Sequence, residues 1–178
     1  MSLIQPIARF DLAFSLFCLQ HRFNQPVAQM SKAISHTGDG HLYLLIGVLA
    51  WWGDAQIGRL FFMVGLIAFL IELPIYWVLK NSFKRRRPAQ LSQNLISFIT
   101  PSDKYSLPSG HTAAGFVIAT LMQHFYPDLT VAAYFWAGLI GFSRILLGVH
   151  FLTDIVLGAI LGASAAWLAL QISIGMNI

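Results

Sequence analysis

Charge is what this chain has least of. Asp, Glu, Lys and Arg together make up 10% of its 178 residues, where soluble domains carry roughly 25%. A water-facing surface needs charged side chains, so this scarcity excludes a soluble globular protein with an ordinary surface. Acids are rarer still: there are seven, scattered along the chain, with no His/Asp/Glu cluster at ligand spacing in the sequence. The single cysteine, Cys18, excludes an intramolecular disulfide and a cysteine-based metal centre. Met1 to Phe10 hold one arginine, no long apolar core and no small-residue cleavage site, so insertion into a membrane is expected to use internal spans. Repeats, linkers and low-complexity runs are missing too, which leaves residues 1–178 as one domain.

What the chain does have is apolar surface. Hydrophobic residues make up 57% of it, the mean hydropathy is +0.67, and several long stretches carry no ionised side chain. That combination predicts a polytopic membrane protein. Spans are expected at roughly 41–53, 60–80, 111–126, 129–148 and 151–174. The second contains Glu72 and Pro74, which predicts a kink, with the acid facing the bundle and hydrogen-bonded near the proline. The last contains Gly158 and Gly162, four apart, a spacing that lets helices approach closely. Residues 7–35 are broken by Arg9, Asp11, His21, Arg22 and Lys32, which predicts an amphipathic interfacial helix, followed by a glycine-rich turn from Ser35 to Gly40. Residues 1–40 are therefore an interfacial lead-in. The expected fold is all-α: a polytopic transmembrane helix bundle of five to six helices with an amphipathic N-terminal segment. The one long connection, 88–108, holds Pro88, Pro101 and Pro108, and loops of that length tend to be functional.

The net charge of +4 is gathered in one region: six of the eleven basic residues are Lys80, Lys84, Arg85, Arg86, Arg87 and Lys104. Such a cluster can hold a membrane surface, a nucleic acid or a phosphorylated ligand. Nucleic acid is set aside because spans bracket the cluster, and Lys84 to Arg86 also fit a positive-inside anchor. Lys80 and Arg87 are seven apart, so a helix running on to Pro88 would point both the same way, with Pro88 ending it. Two such cations bind an anion, and a guanidinium grips phosphate oxygens in pairs. Pro108-Ser109-Gly110-His111 opens an apolar helix. Ser109 is a natural N-cap, the free N–H groups after it suit phosphate, Gly110 allows close approach, and His111 offers a proton. Ser143-Arg144 leads to His150 and Asp154, four apart and expected to face each other on one helix surface. A carboxylate on one imidazole nitrogen fixes the tautomer and leaves the other nitrogen free to attack.

Successive spans bring all three patterns to one membrane face. Lys80-x6-Arg87-Pro88, Pro108-Ser109-Gly110-His111 and Ser143-Arg144-x5-His150-x3-Asp154, in that order, resemble the signatures of the type 2 phosphatidic acid phosphatase superfamily. The resemblance covers about residues 80–178. It implies a membrane lipid phosphatase in which His150 takes the phosphoryl group, Asp154 orients it, and His111 protonates the leaving oxygen. It also implies that Lys80, Arg87, Ser109, Gly110 and Arg144 hold the phosphate. Three cations and backbone donors can neutralise the equatorial oxygens without a metal, so metal-independent activity with no cofactor is expected. The expected partners are the bilayer and a lipid phosphate: phosphatidylglycerophosphate, undecaprenyl pyrophosphate, phosphatidate or a lipid A phosphate. The resemblance points to a bacterial inner membrane with the site facing the periplasm, whereas the charge bias alone points to the cytoplasm. A phosphotransferase using the same His150 chemistry, or a transporter-like homologue, are the competing readings.

Overall fold

Asp54 separates the first two helices of the bundle. It ends α3 (Gly40–Gly53) and opens α4 (Ile57–Phe83), its Oδ1 accepting the Gln56 and Ile57 N–H groups at 2.8 and 2.9 Å. The structure, a computed structural model, describes residues 4–20, 24–92 and 95–175. Before α3 come α1 (Ile4–Leu19) and α2 (Asn24–His36); His21 and Arg22 of the lead-in lie outside the described residues. After α4 come the one-turn α5 (Pro88–Leu91), α6 (Gly110–Phe125), a 3₁₀ turn (Pro127–Leu129), α7 (Thr130–Leu146) and α8 (Leu152–Gly175). Every regular element among the described residues is helical, as expected.

α6 is the centre of the bundle and packs on α8, α7 and α4. The predicted glycine pair makes its tightest contact possible: a Cβ on Gly162 would stand 2.0 Å from the Ala113 carbonyl oxygen, and one on Gly158 2.6 Å from that of Ser109. Phe61, Val64, Ala68, Val117, Leu121 and Ala166 fill the core between these helices. The outer surface is apolar as well, with Trp52 86%, Val131 82% and Leu70 73% exposed, a coat that suits lipid. α4, α8, and α7 with its leading turn are long and apolar enough to cross a membrane. At 14 and 16 residues, α3 and α6 are shorter than the expected free spans, and α6 is enclosed by its neighbours.

The lead-in departs from a single interfacial helix. It forms two helices, α2 lying on α7 and α1 touching α7 and α8. Asp11, expected on a polar face, is fully buried, its carboxylate bonded by Arg85 at 2.6 Å and by the Thr153 N–H at 3.1 Å. α4 runs on through Pro74, and the neighbouring Glu72 makes no hydrogen bond to another described residue, so the bond expected near the proline is not made.

Candidate active site

Four helix ends meet at one face of the bundle: the C-terminal ends of α4 and α7 and the N-terminal ends of α6 and α8. Between them lies a cavity of about 390 Å³ whose lining includes Lys80, Arg87, Gly110, His111, Arg144 and His150. Ser109 and Asp154, the other two expected site residues, are fully buried behind this lining. The Ser109 N–H donates to the Asp154 carbonyl at 3.0 Å, tying the second and third patterns together.

Lys80 and Arg87 meet by a different route from the one the spacing suggests. α4 stops at Phe83, and Lys84 turns into the left-handed region at φ 48°, so Arg87 stands on extended chain and not on the helix face of Lys80. Pro88 opens α5 and does not end α4, as its missing N–H allows at a first helical position. The two cations converge instead on Asp103 of the long loop. Lys80 Nζ lies 2.7 Å from Oδ2, and Arg87 Nη2 pairs with Oδ1. The Tyr76 hydroxyl donates to the same Oδ2 at 2.5 Å and accepts from Lys80 at 2.5 Å. Burial pushes the Asp103 carboxyl up, but hydrogen bonds from Lys80 and Tyr76 and both positive charges outweigh it and hold the group below the usual carboxylate range. Arg87 also donates to the carbonyls of Tyr105 at 2.9 Å and Val149 at 2.6 Å, which fastens the loop beside His150.

At the start of α6, Ser109 occupies the N-cap position without making the capping bond; its Oγ accepts from the Thr112 hydroxyl at 2.9 Å. The bare Gly110 makes room for Tyr76, whose ring would stand 3.0 Å from a Cβ there. His111 Nε2 lies 2.9 Å from Oδ1 of Asp39, whose Oδ2 is 2.6 Å from His36 Nδ1. Arg144 donates to the Ser35 hydroxyl at 2.6 Å and keeps its Nε buried without a partner.

His150 precedes α8, so it does not share a helix face with Asp154 as its spacing suggested. The Asp154 Oδ2 accepts the Phe151 N–H at 2.8 Å and stands 3.6 Å from His150 Nδ1, an ion-pair distance longer than a hydrogen bond. Asp154 Oδ1 takes Arg85 Nη1 at 2.7 Å. Burial pushes the His150 pKa down to about 4, with Asp154 opposing the shift, so the imidazole is neutral at neutral pH. A neutral ring with Nδ1 turned to a carboxylate leaves Nε2 with a lone pair toward the cavity.

Sequence reasoning missed four acid and base positions. Arg85, which fitted a topology anchor, links Asp154 to Asp11 by ion pairs of 2.7 and 2.6 Å. Asp103 sits in the loop whose length marked it as functional, and Asp39 sits in the glycine-rich turn; nothing in the local pattern marked Asp11. The expectation that no His/Asp/Glu cluster reaches ligand spacing also needs correction. The ligand atoms of His36, Asp39 and His41 lie within 4.8 Å of one another, because the turn folds back between α2 and α3.

The sequence profile of the PAP2 superfamily matches residues 56–175. The chain is 28% identical over 141 residues to "Probable lipid phosphate phosphatase beta" of Arabidopsis thaliana, covering 64% of this chain and 66% of that one. It is 37% identical over 98 residues to "Lipid A 1-phosphatase" of Porphyromonas gingivalis, covering 53% of this chain and 20% of that one. The chain thus spans slightly under two thirds of the first relative and a fifth of the second. The fold matches the crystal structure of Aquifex aeolicus LpxE with a TM-score of 0.78 at 24% identity, over 90% of this chain and 94% of that one.

Proposed function

The chain belongs to the PAP2 superfamily, and from that premise we propose that it is a metal-independent phosphatase that takes phosphate from a membrane lipid through a phosphohistidine on His150. The observation that carries this reading is one cavity with two ends. Lys80, Arg87, Arg144, His111 and His150 line its polar end, and Leu44, Leu66 and Leu73 line its apolar end between α3 and α4. A lipid phosphate has the same two ends.

In the first step His150 Nε2 attacks phosphorus while the bond from phosphorus to the lipid oxygen breaks. Asp154 balances the charge that grows on the imidazole, and the proton of His111 goes to the departing oxygen. In the second step water attacks the phosphohistidine, His111 takes its proton, and the phosphorus–nitrogen bond breaks. Lys80, Arg87, Arg144 and the backbone at Gly110 neutralise the equatorial oxygens in both steps, and Ser109, whose N–H is held by the Asp154 carbonyl, fixes the turn that presents Gly110. The substrate phosphate takes over the cations that Asp103 holds in its absence. Asp39 is a positioning residue: it holds Nε2 of His111, so that Nδ1 is the nitrogen that exchanges the proton.

Phosphate release by the purified protein in detergent with EDTA tests this reading. Release from a lipid phosphate, lost in His150→Ala, is expected; release unchanged by EDTA also separates this chemistry from any ion held at His36, Asp39 and His41. An active His150→Ala variant would sink the mechanism. Phosphate appearing on an added alcohol instead of in solution would favour the phosphotransferase reading. The setting we assign is a bacterial inner membrane with the site toward the periplasm. Lys104→Cys, at an exposed loop position, is expected to react with a membrane-impermeant thiol reagent in spheroplasts; protection until lysis would reverse the sidedness.

A further inference from the structure

Lys80, Tyr76 and Glu72 recur at four-residue intervals along one face of α4, and all three line the active-site cavity. Lys80 and Tyr76 bind each other and Asp103. Glu72 has no such partner. It is 2% exposed, one helical turn further into the bundle than Tyr76, and no hydrogen bond or ion pair joins it to another described residue. Beyond this level the lining turns apolar, with Phe62, Leu66 and Leu73. A buried acid without a partner is costly, and on a cavity wall it is placed to meet a ligand group.

The depth of Glu72 says which part of a ligand reaches it. The Lys80 side chain leans back along α4 to the Tyr76 hydroxyl at 2.5 Å, so its ammonium stands roughly one turn, about 6 Å, from the level of Glu72. A phosphate held by Lys80 therefore puts the carbon next to its phosphate-bearing carbon near this acid.

We propose that Glu72 selects lipid phosphates that carry a hydroxyl or amide N–H on the carbon adjacent to the phosphate-bearing one. The inference rests on the phosphatase reading and narrows it. Of the candidate lipids, phosphatidylglycerophosphate has a hydroxyl there and a lipid A 1-phosphate has an amide. Phosphatidate has an ester, which only accepts, and a polyprenyl pyrophosphate has neither. A donor-free lipid leaves the acid buried and unpaired, and sites that bind a donor reject analogues lacking it for that reason.

Ceramide 1-phosphate and phosphatidate of matched chain length form the test pair, because both are two-chain monoesters and only the first has an amide N–H on that carbon. The readout is the ratio of their kcat/KM values in mixed micelles, with p-nitrophenyl phosphate as the control for the phosphatase reading. We expect wild type to favour ceramide 1-phosphate, Glu72→Leu to lower the ratio about 10- to 100-fold, and Glu72→Gln, which still accepts a hydrogen bond, to keep most of it. A wild-type ratio of one or less would overturn the proposal, as would an equal loss on both lipids in a Glu72→Leu protein that melts like wild type. Should that variant fail to fold, Glu72→Met takes its place, and an unchanged lipid ratio in it overturns the proposal. Hydrolysis of p-nitrophenyl phosphate with a flat lipid ratio removes only the specificity role. No hydrolysis of any of the three removes the phosphatase reading, and this proposal with it.

Discussion

Replacing Arg85 by alanine strips the positive charge from two carboxylates that have no water to fall back on. The side chains of Asp11 and Asp154 are 0% exposed and that of Arg85 is 21% exposed. Its guanidinium holds them at 2.6 and 2.7 Å and donates to the Thr153 hydroxyl at 2.6 Å. Removing one partner of a buried ion pair costs about 3–5 kcal/mol, because the remaining charge is stranded. For a chain of this size each kcal/mol moves the melting temperature about 2–4 °C, so Arg85→Ala should melt about 6–20 °C lower. The mechanism also predicts the sign of a second change. Adding Asp11→Asn removes one stranded charge and should recover about 1–3 kcal/mol, although the same asparagine in the wild-type background destabilises. The assay is thermal unfolding in one detergent at a fixed scan rate, followed by tryptophan fluorescence. A melting temperature for Arg85→Ala within about 2 °C of wild type, or a further fall on adding Asp11→Asn, would refute the network.

His150→Ala should lose turnover and the acid-labile phosphoenzyme while its melting temperature stays near wild type; a labelled phosphoenzyme in that variant would exclude His150 as the nucleophile. Asp154→Asn should retain slow turnover, lowered on the order of 10²–10⁴-fold in kcat, because the ring loses its charge partner and not its attacking nitrogen. Asp39→Asn should lower kcat by about ten-fold or more with KM little changed, through misorientation of His111; a change in KM alone would assign Asp39 to binding. Burial lowers the His150 pKa from 6.5 to about 4, so the unfolded chain binds the proton more readily than the native one. Its contribution to stability is therefore complete above pH 6.5 and falls as the pH drops toward 4, by about 3 kcal/mol in all. Wild type should lose stability relative to His150→Asn as the pH falls across that window, and parallel pH profiles would count against a neutral buried ring.

How much of this was legible in the sequence depends on the range of the interaction. The spans read out well because apolar runs and their breaks are local: Asp54 stops one helix and caps the next within four residues. The three signatures read out for a related reason, since alternate helix ends must lie on one side of a membrane. That topology brings Lys80, Arg87, His111, Arg144 and His150 around one cavity without any knowledge of packing.

Spacing misled where backbone geometry broke the assumed period. The left-handed turn at Lys84 takes Arg87 off the α4 face, and α8 begins after His150, so neither pair is a helical pair. The partners of the site residues were not legible at all. Asp39 lies 72 positions from His111, and Asp11 lies 74 from Arg85, with no local pattern to connect them. The sequence by itself determined that the chain is a membrane bundle with cations and imidazoles at one face, because hydrophobic runs and helix ends are set by neighbours along the chain. The tertiary structure alone decided which acid answers each base and which acid, Glu72, is left facing the cavity, because those choices depend on desolvation by helices distant in sequence.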